Sequence, residues 1–482
     1  YYDRELTDIF EVQDDIAREI STALRSAILG DVAIEKAMPT QLEAYEKYLR
    51  ARQWIHSRDR TLMEQAMALL DDALAIDPDY VPALAQKALV IQLLSNSGGS
   101  YGDIPEALAL EMSKPLLDRA LALDPESAEA HAVLGLWHSN NTANDSPEAV
   151  ASLRRALEIN PNMANANNWL ASALSGADNY GESLRLYEFV VEHDPLYRPA
   201  FNNLTFSYLQ TRSLDKADAV IRRVERIDGG SPNVLFARGA LAMSSGDLAT
   251  AIEQLSRAYE FNNSANVVQL WYGTATMFVG DLDTAIAANY QTDKLVPLEL
   301  AGRSEEAEAL YKDLQITVYD EQHLRSIGSW MLYRDRPQDF VALLARVAGE
   351  GADIVDSQPK SNQLWGSPNA TNVAYALRQT GRDADSARML RLVREQLDAQ
   401  SRNGADNMFY WANEAEYAAL TGDREALQAN LRKAIDAGYV NVYGFYAAPF
   451  RLVRGDAAFI TLENESIRRA NDARRKLGML AL

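Results

Sequence analysis

Small and bulky apolar positions recur along the chain with a fixed period. Ala149, Ser183, Ala217, Ala251 and Ala285 stand 34 residues apart. Four positions after the first four come Leu153, Tyr187, Ile221 and Leu255, and seven positions after them come Ala156, Val190, Val224 and Ala258. Spacings of four and three put these side chains on one face of a helix. A fixed period of roughly 20 to 50 residues marks a repeat array rather than a string of unrelated domains. Asp77-Pro78, Asp124-Pro125, Asn160-Pro161 and Asp194-Pro195 follow one another at 47, 36 and 34 residues. The first gap reads as one repeat plus a 13-residue insertion around SNSGGSYGD (95 to 103), and the second as one repeat plus two residues near NNTANDSP. Proline cannot continue a helix and restrains its predecessor, so these pairs are predicted to close the second helix of each unit. Gly246-Asp247, Gly280-Asp281, Gly302-Arg303, Gly381-Arg382 and Gly422-Asp423 are predicted to turn the chain between the two helices of a pair.

The pattern resembles the tetratricopeptide repeat. HAVLGLWH supplies His131, Leu134, Gly135 and His138 at the first-helix consensus places of that family. FNNLTFSY supplies Phe201, Leu204, Thr205 and Tyr208, and LFARGALA supplies Leu235, Arg238, Gly239 and Ala242. Small residues let antiparallel helices approach, and bulky ones fill the space between pairs. After about residue 286 the register loosens, although Ala307 still occupies a small position and further pairs follow around 320 to 348, 370 to 400 and 406 to 437. The stretch 349 to 369 is the most loop-like. The expected fold is all-α, a superhelical solenoid of about ten helix pairs, each buried against its neighbours.

Both ends differ from the repeats. Ile9, Val12, Ile16, Ile20, Leu24 and Ile28 form an apolar stripe, which predicts an amphipathic helix over 8 to 29 with Asp8 and Glu11 placed to cap it. Tyr2 to Leu24, and more weakly residues 42 to 52, resemble a phrase of bacterial multidomain signalling proteins. There a class III adenylate/guanylate cyclase or a winged-helix domain comes first, a TolB-like domain usually follows, and tetratricopeptide repeats come last. FYAAPFRLVRGDAAFITLENE resembles that family's closing segment. The expected organisation is a linker or capping helix over 1–38, the array over 39–444 and a C-terminal cap over 445–482. The first residue is Tyr, so the chain is expected to be part of a longer polypeptide.

Composition narrows the chemistry. The 482 residues carry 47 Lys and Arg against 68 Asp and Glu, a formal charge of −21, and no cysteine. That excess repels phosphate backbones, so no nucleic acid partner is expected. Disulfides, thiolate metal sites and cysteine nucleophiles are excluded. No apolar run reaches the ~18 residues of a membrane span, so no membrane insertion by this region is expected. By resemblance, the compartment is periplasmic if the parent is membrane-tethered and cytoplasmic otherwise.

Gly98-Gly99-Ser100-Tyr101-Gly102 matches G-x-S-x-G, the serine elbow of a hydrolase, with His131, His138 or His193 as conceivable partners. That elbow needs a strand before it, whereas this segment falls where two repeat helices connect, so an insertion loop is the better reading. His131 and His138 share a helical face at consensus aromatic positions, where packing is favoured over ligation. Asp14-Asp15, Asp71-Asp72 and Glu305-Glu306 are neighbours about 100° apart on a helix, too divergent to share a proton or an ion. No phosphate-binding glycine loop occurs. No catalytic residue, metal or cofactor is expected.

The candidate surface is the inner face of the first helices. In the tetratricopeptide family these positions line a concave groove. The resemblance makes that groove amide-rich at Asn165, Asn168 and Asn202, with Ser172 beside them. It turns apolar towards Phe206, Phe236, Met243, Leu270, Thr274 and Met277. Asparagine can donate to and accept from a peptide backbone at once. The alternative is that later helices of the same chain cover the apolar half. The Lys-Asn-Asn-Lys-Arg clamp of co-chaperone repeats is not matched, which argues against a free C-terminal carboxylate as ligand. A protein- or peptide-binding scaffold is expected, as the docking or sensory region of a signalling protein. A free-standing adaptor is the alternative, and a hydrolase using the insertion loops is a more distant one.

Overall fold

The computed structural model describes residues 42–95, 101–141, 146–176, 179–261, 266–289, 291–314, 321–358 and 369–482. The helix expected over 8 to 29, with its capping pair, and Ser100 of the G-x-S-x-G match lie outside the described residues. Within them the fold is all-α: twenty-three α-helices, two 3-10 turns and one isolated bridge between Ser95 and Ile104. The chain divides into two compact units, residues 1–177 with 181–190, and residues 178–180 with 191–482.

In the first unit α1 (Leu42–His56) pairs with α2 (Arg60–Ile76), α3 (Val81–Leu93) with α4 (Glu106–Leu123), and α5 (Ala128–Asn141) with α6 (Pro147–Ile159). They are followed by α7 (Ala164–Gly176) and α8 (Tyr180–His193), the two ends of α8 falling in the second unit. The second unit continues with α9 (Arg198–Gln210) and α10 (Leu214–Asp228), α11 (Pro232–Ser244) and α12 (Leu248–Phe261), and α13 (Asn266–Phe278) and α14 (Leu282–Ala288). Then come α15 (Leu295–Leu300) and α16 (Ser304–Asp313), α17 (Glu321–Tyr333) and α18 (Pro337–Ala348), α19 (Asn369–Gln379) and α20 (Asp383–Arg402), and α21 (Met408–Thr421) and α22 (Arg424–Asp436). A 3-10 turn, Ala448–Val453, leads into the last helix, α23 (Ala457–Lys476).

The small-residue ladder marks the contact inside each pair. Ala149, Ser183, Ala217, Ala251 and Ala285 are all fully buried, as are Leu153, Ile221 and Leu255. A Cβ on Gly239 would stand 2.5 Å from Leu255 Cγ and 3.3 Å from the Ala251 carbonyl, and Gly135 meets Leu153 Cγ at the same 2.5 Å. The first helix therefore lies directly on the second, and any side chain at these glycines would force them apart. Where serine stands at this contact, the hydroxyl finds a partner across the pair. Ser183 Oγ donates to the Ala171 carbonyl at 2.6 Å, and Ser386 Oγ to the Ala374 carbonyl at 2.7 Å, each twelve residues back.

The Asp-Pro and Asn-Pro pairs end second helices for a reason beyond the proline ring. Asp77, Asp124 and Asn160 are C-caps, and their side-chain oxygens accept from the backbone N–H two residues on at 3.2, 3.0 and 3.3 Å. Their carbonyls accept from residues 80, 127 and 163, so one turn is repeated at these three junctions. Between the helices of a pair, Gly246, Gly280, Gly302, Gly381 and Gly422 all have φ between +73° and +83°. Arg58, Arg212 and Asp335 take the same place in other pairs at φ of +55°, +51° and +58°.

Three local features bear on what the sequence suggests. LVIQLL (89 to 94), which could pass for the strand of a nucleophile elbow, lies almost wholly within α3, so the elbow has no strand to stand on. Arg238, at a place held by Leu170 and Leu204 in the neighbouring repeats, reaches Asp218 and Glu225 of α10 at 2.5 Å each. The stretch after α18 is irregular but buried at Ile354 and Val355. Asp353 accepts there from the N–H groups of Val355 and Asp356, and Arg388 pairs with Asp353 and Asp356 at 2.9 and 2.8 Å.

Candidate binding cavity

The first helices of the second unit are apolar on two faces. In α11, Val234, Leu235, Phe236, Ala237, Ala240, Ala242 and Met243 are all buried, so only a narrow polar edge at Asn233 and Arg238 is left for water. A helix of that composition must be covered on its other sides. The second helix covers one face; the later part of the same unit covers the other. Asp406 N–H donates to the Gln210 carbonyl at 2.9 Å, Arg212 Nη2 to the Asp436 carbonyl at 2.5 Å, and Val442 N–H to the Phe278 carbonyl at 3.0 Å. Arg474 donates to the Val279 carbonyl. A Cβ on Gly438, whose φ is +102°, would lie 2.4 Å from the Met243 carbonyl. These contacts sit at the C-terminal ends of α9, α11 and α13, where the last helical carbonyls lack intrahelical partners.

Between the two parts a cavity of about 630 Å³ remains, lined from each of the seven first helices α9, α11, α13, α15, α17, α19 and α21. Its apolar wall centres on Phe206 and Trp271, whose rings lie 5.5 Å apart, with Phe236 packed beneath both at 5.6 and 6.2 Å. Val267 lines the cavity and is itself 43% exposed, so the cavity reaches solvent beside the start of α13.

Five of the sequence-derived candidates, Phe206, Met243, Leu270, Thr274 and Met277, line this one cavity. Phe236 supports it without lining it. Asn202, one turn before Phe206 on α9, is half-buried, and its Oδ1 has no hydrogen-bond partner. The other three belong to the first unit. Asn165 Oδ1 accepts from Arg58 Nη2 at 3.0 Å, Asn168 is only 4% exposed, and Ser172 is exposed. The later helices roof the apolar face, as the alternative anticipated, but leave it hollow.

Thr274 apart, the polar groups of the cavity are not singled out by the repeat pattern. α21 carries two carboxylates among mainly apolar side chains, two residues apart and so on opposite sides. Glu414, 8% exposed, is held by Arg394 at 2.8 Å and by the Tyr410 hydroxyl at 2.9 Å. Glu416, 4% exposed, lines the cavity and accepts from Thr371 Oγ1 at 2.6 Å, and no cation among the described residues pairs with it. Burial pushes its carboxyl up to about 7, the Thr371 hydroxyl pulling weakly the other way. Burial likewise holds the facing Tyr439 and Tyr446 phenols above their ordinary value and neutral. Asn289, 6% exposed, also lines the cavity, and its Oδ1 has no donor. The signal available in the sequence was Glu416 itself, an acid on a mainly apolar helix.

Elsewhere the neighbouring Asp71 and Asp72 diverge as their helical spacing demands, while Asp14-Asp15 lies outside the described residues. Asp71 goes to Lys87 at 2.5 Å and Asp72 to Lys47 at 3.2 Å. Among the described residues no group of three or more His, Asp and Glu is arranged to hold a metal, and no helix is long and apolar enough to cross a membrane.

No family model and no curated protein matches the sequence. Solved structures similar to parts of the chain include PilW, a type IV pilus biogenesis factor, at 20% identity and a TM-score of 0.35, over 48% of this chain and 99% of that one. A thermophilic TPR protein of Thermus thermophilus is 20% identical at a TM-score of 0.31, over 35% of this chain and 92% of its own. A tetratricopeptide repeat protein of Parabacteroides merdae is 16% identical at a TM-score of 0.36, over 55% and 94%.

Proposed function

We propose that the chain is a non-catalytic scaffold that binds a protein or peptide partner through the inner faces of its repeats. The observation that supports this best is the convergence of Phe206, Met243, Leu270, Thr274 and Met277, from three successive pairs, on one cavity. Side chains at equivalent places of adjacent repeats make a surface that one ligand can touch repeatedly. The exposed Ser172 and the half-buried Asn165 and Asn202 offer polar contacts to polypeptide backbone. The cavity has room for an inserted side chain rather than an extended segment. In this reading 39–444 is the binding array, 445–482 its cap, and 1–38 a linker or cap at the other end.

Of the two finer readings, the first is a free-standing adaptor, in which the paired helices α1 to α22 are the working part. The docking region of a cyclase or winged-helix regulator is the second reading and rests on the Tyr2 to Leu24 phrase. The reading frame upstream of Tyr1 separates them: a fused output domain supports the second, a nearby start codon the first. The scaffold reading itself is tested by placing a photocrosslinking residue at Ser172 or at Thr274 in cells. Adducts with polypeptide at either position are expected. Adducts with no polypeptide at both would reject it.

A further inference from the structure

The cavity of the second unit carries chemistry that scaffolding does not use. Its walls are aromatic and apolar, yet buried Glu416 and Asn289 and half-buried Asp293 add carboxyl and amide oxygens to its lining. Asn289 Oδ1 has no donor although the side chain is more than nine-tenths buried. Glu416 holds one donor, Thr371 Oγ1, and no cation. Asp293 takes the Ser326 hydroxyl. Against these, among the described residues, the cavity presents one cationic side chain, Arg325. On the same helix as Glu416, Glu414 shows how this fold neutralises a buried carboxylate when nothing else does so: it supplies an arginine. At Glu416 it supplies none. Leaving a buried carboxyl without a counter-charge costs stability, and such groups persist where a ligand completes them.

We propose that this cavity binds a small protonated organic amine with an apolar body, the ammonium donating to Glu416 and the body lying against Trp271, Phe206 and Tyr446. The volume of about 630 Å³ lies in the range of small-molecule sites rather than peptide grooves. Aromatic walls favour a cationic guest twice, through apolar burial of its body and through the negative faces of the rings. The net charge of −21 adds long-range attraction for a cation. This inference goes beyond the scaffold reading and does not depend on it.

The test is calorimetric titration of the full chain at pH 8 with tryptamine and octylamine, each paired with its neutral counterpart, tryptophol and octanol. Each amine is expected to bind about tenfold or more tightly than its alcohol. Glu416→Gln keeps the shape and the Thr371 hydrogen bond while removing the charge, and is expected to bring the two affinities together. Glu305→Gln with Glu306→Gln, which removes two exposed carboxylates far along the sequence, is expected to change neither, so that diffuse attraction to an acidic surface is separated from the site. Alcohols that bind as tightly as the amines would overturn the proposal. So would amine binding that Glu416→Gln leaves intact, or no binding of either amine at about 1 mM.

Discussion

At the scale of single residues, the ladder positions and Glu416 show two kinds of constraint. Ala251 is fully buried with its carbonyl against Gly239, so a larger side chain has nowhere to go. Ala251→Leu should destabilise the chain by roughly 1 to 3 kcal/mol through overpacking. Denaturant midpoints of the two proteins measure this, and equal midpoints would mean that the pair contact lies elsewhere. Glu416 acts in the opposite sense. Its folded carboxyl titrates at about 7, above its ordinary value of 4.5, so the folded state holds that proton more tightly than the unfolded chain does. Stability from this group is therefore whole below about pH 4.5 and is lost as pH rises to 7 and beyond, by about 3 kcal/mol at roughly 1.4 kcal/mol per pKa unit. Glu416→Gln removes the ionisation. The variant should match the parent near pH 4 and melt higher at pH 8, in the absence of ligand. A gain that is the same at both pH values would show that the carboxyl is not what the substitution relieved. The ladder was legible in the sequence because spacing alone defines it. The asymmetry between Glu414 and Glu416 was not, because Arg394 and Thr371 reach them from other helices.

At the scale of helices and turns, sequence reading went furthest where one residue type has one physical role. Five Gly-Asp or Gly-Arg dipeptides were read as turns, and each glycine has a positive φ. Arg58, Arg212 and Asp335 hold the same conformation without a glycine to announce it, so no dipeptide marks the turns of those pairs. The turns also differ in what surrounds them. Gly280 and Gly302 share a φ of +73°, but a Cβ on Gly280 would lie 2.8 Å from Val442 Cγ2 and 2.6 Å from Leu482 Cδ1, whereas Gly302 has nothing within 4 Å. Gly302→Ala should cost about 1 to 2 kcal/mol from backbone strain alone. Gly280→Ala should cost more, because residues 442 and 482 must also give way. Thermal melts of the two variants measure the difference, and equal losses would mean that the C-terminal segment does not rest on α13 and α14 as described.

At the scale of the molecule, each unit has its own account. In the second unit the inner faces of α9, α11 and α13 are apolar, and the same chain returns to cover them. The apolar stretches LFARGALAM and VVQLWYGTATMF could have been read either as a groove for a partner or as a face already roofed. Periodicity cannot separate these, since both bury the same side chains. What separates them is where residues 406, 436 to 442 and 474 go, and nothing local to those residues states it. Asp406 and Val442 make the most direct report. Their amides donate to the carbonyls of Gln210 and Phe278, contacts that span 196 and 164 residues of chain and hold the roof over the cavity. Native-state hydrogen exchange at these two amides tests the closure. Protection comparable to the core amides of α11 and α12 is the result this account predicts. Exchange at the rate of an open loop, with α11 and α12 still protected, would mean that the later helices do not close on the earlier ones and that no enclosed cavity exists.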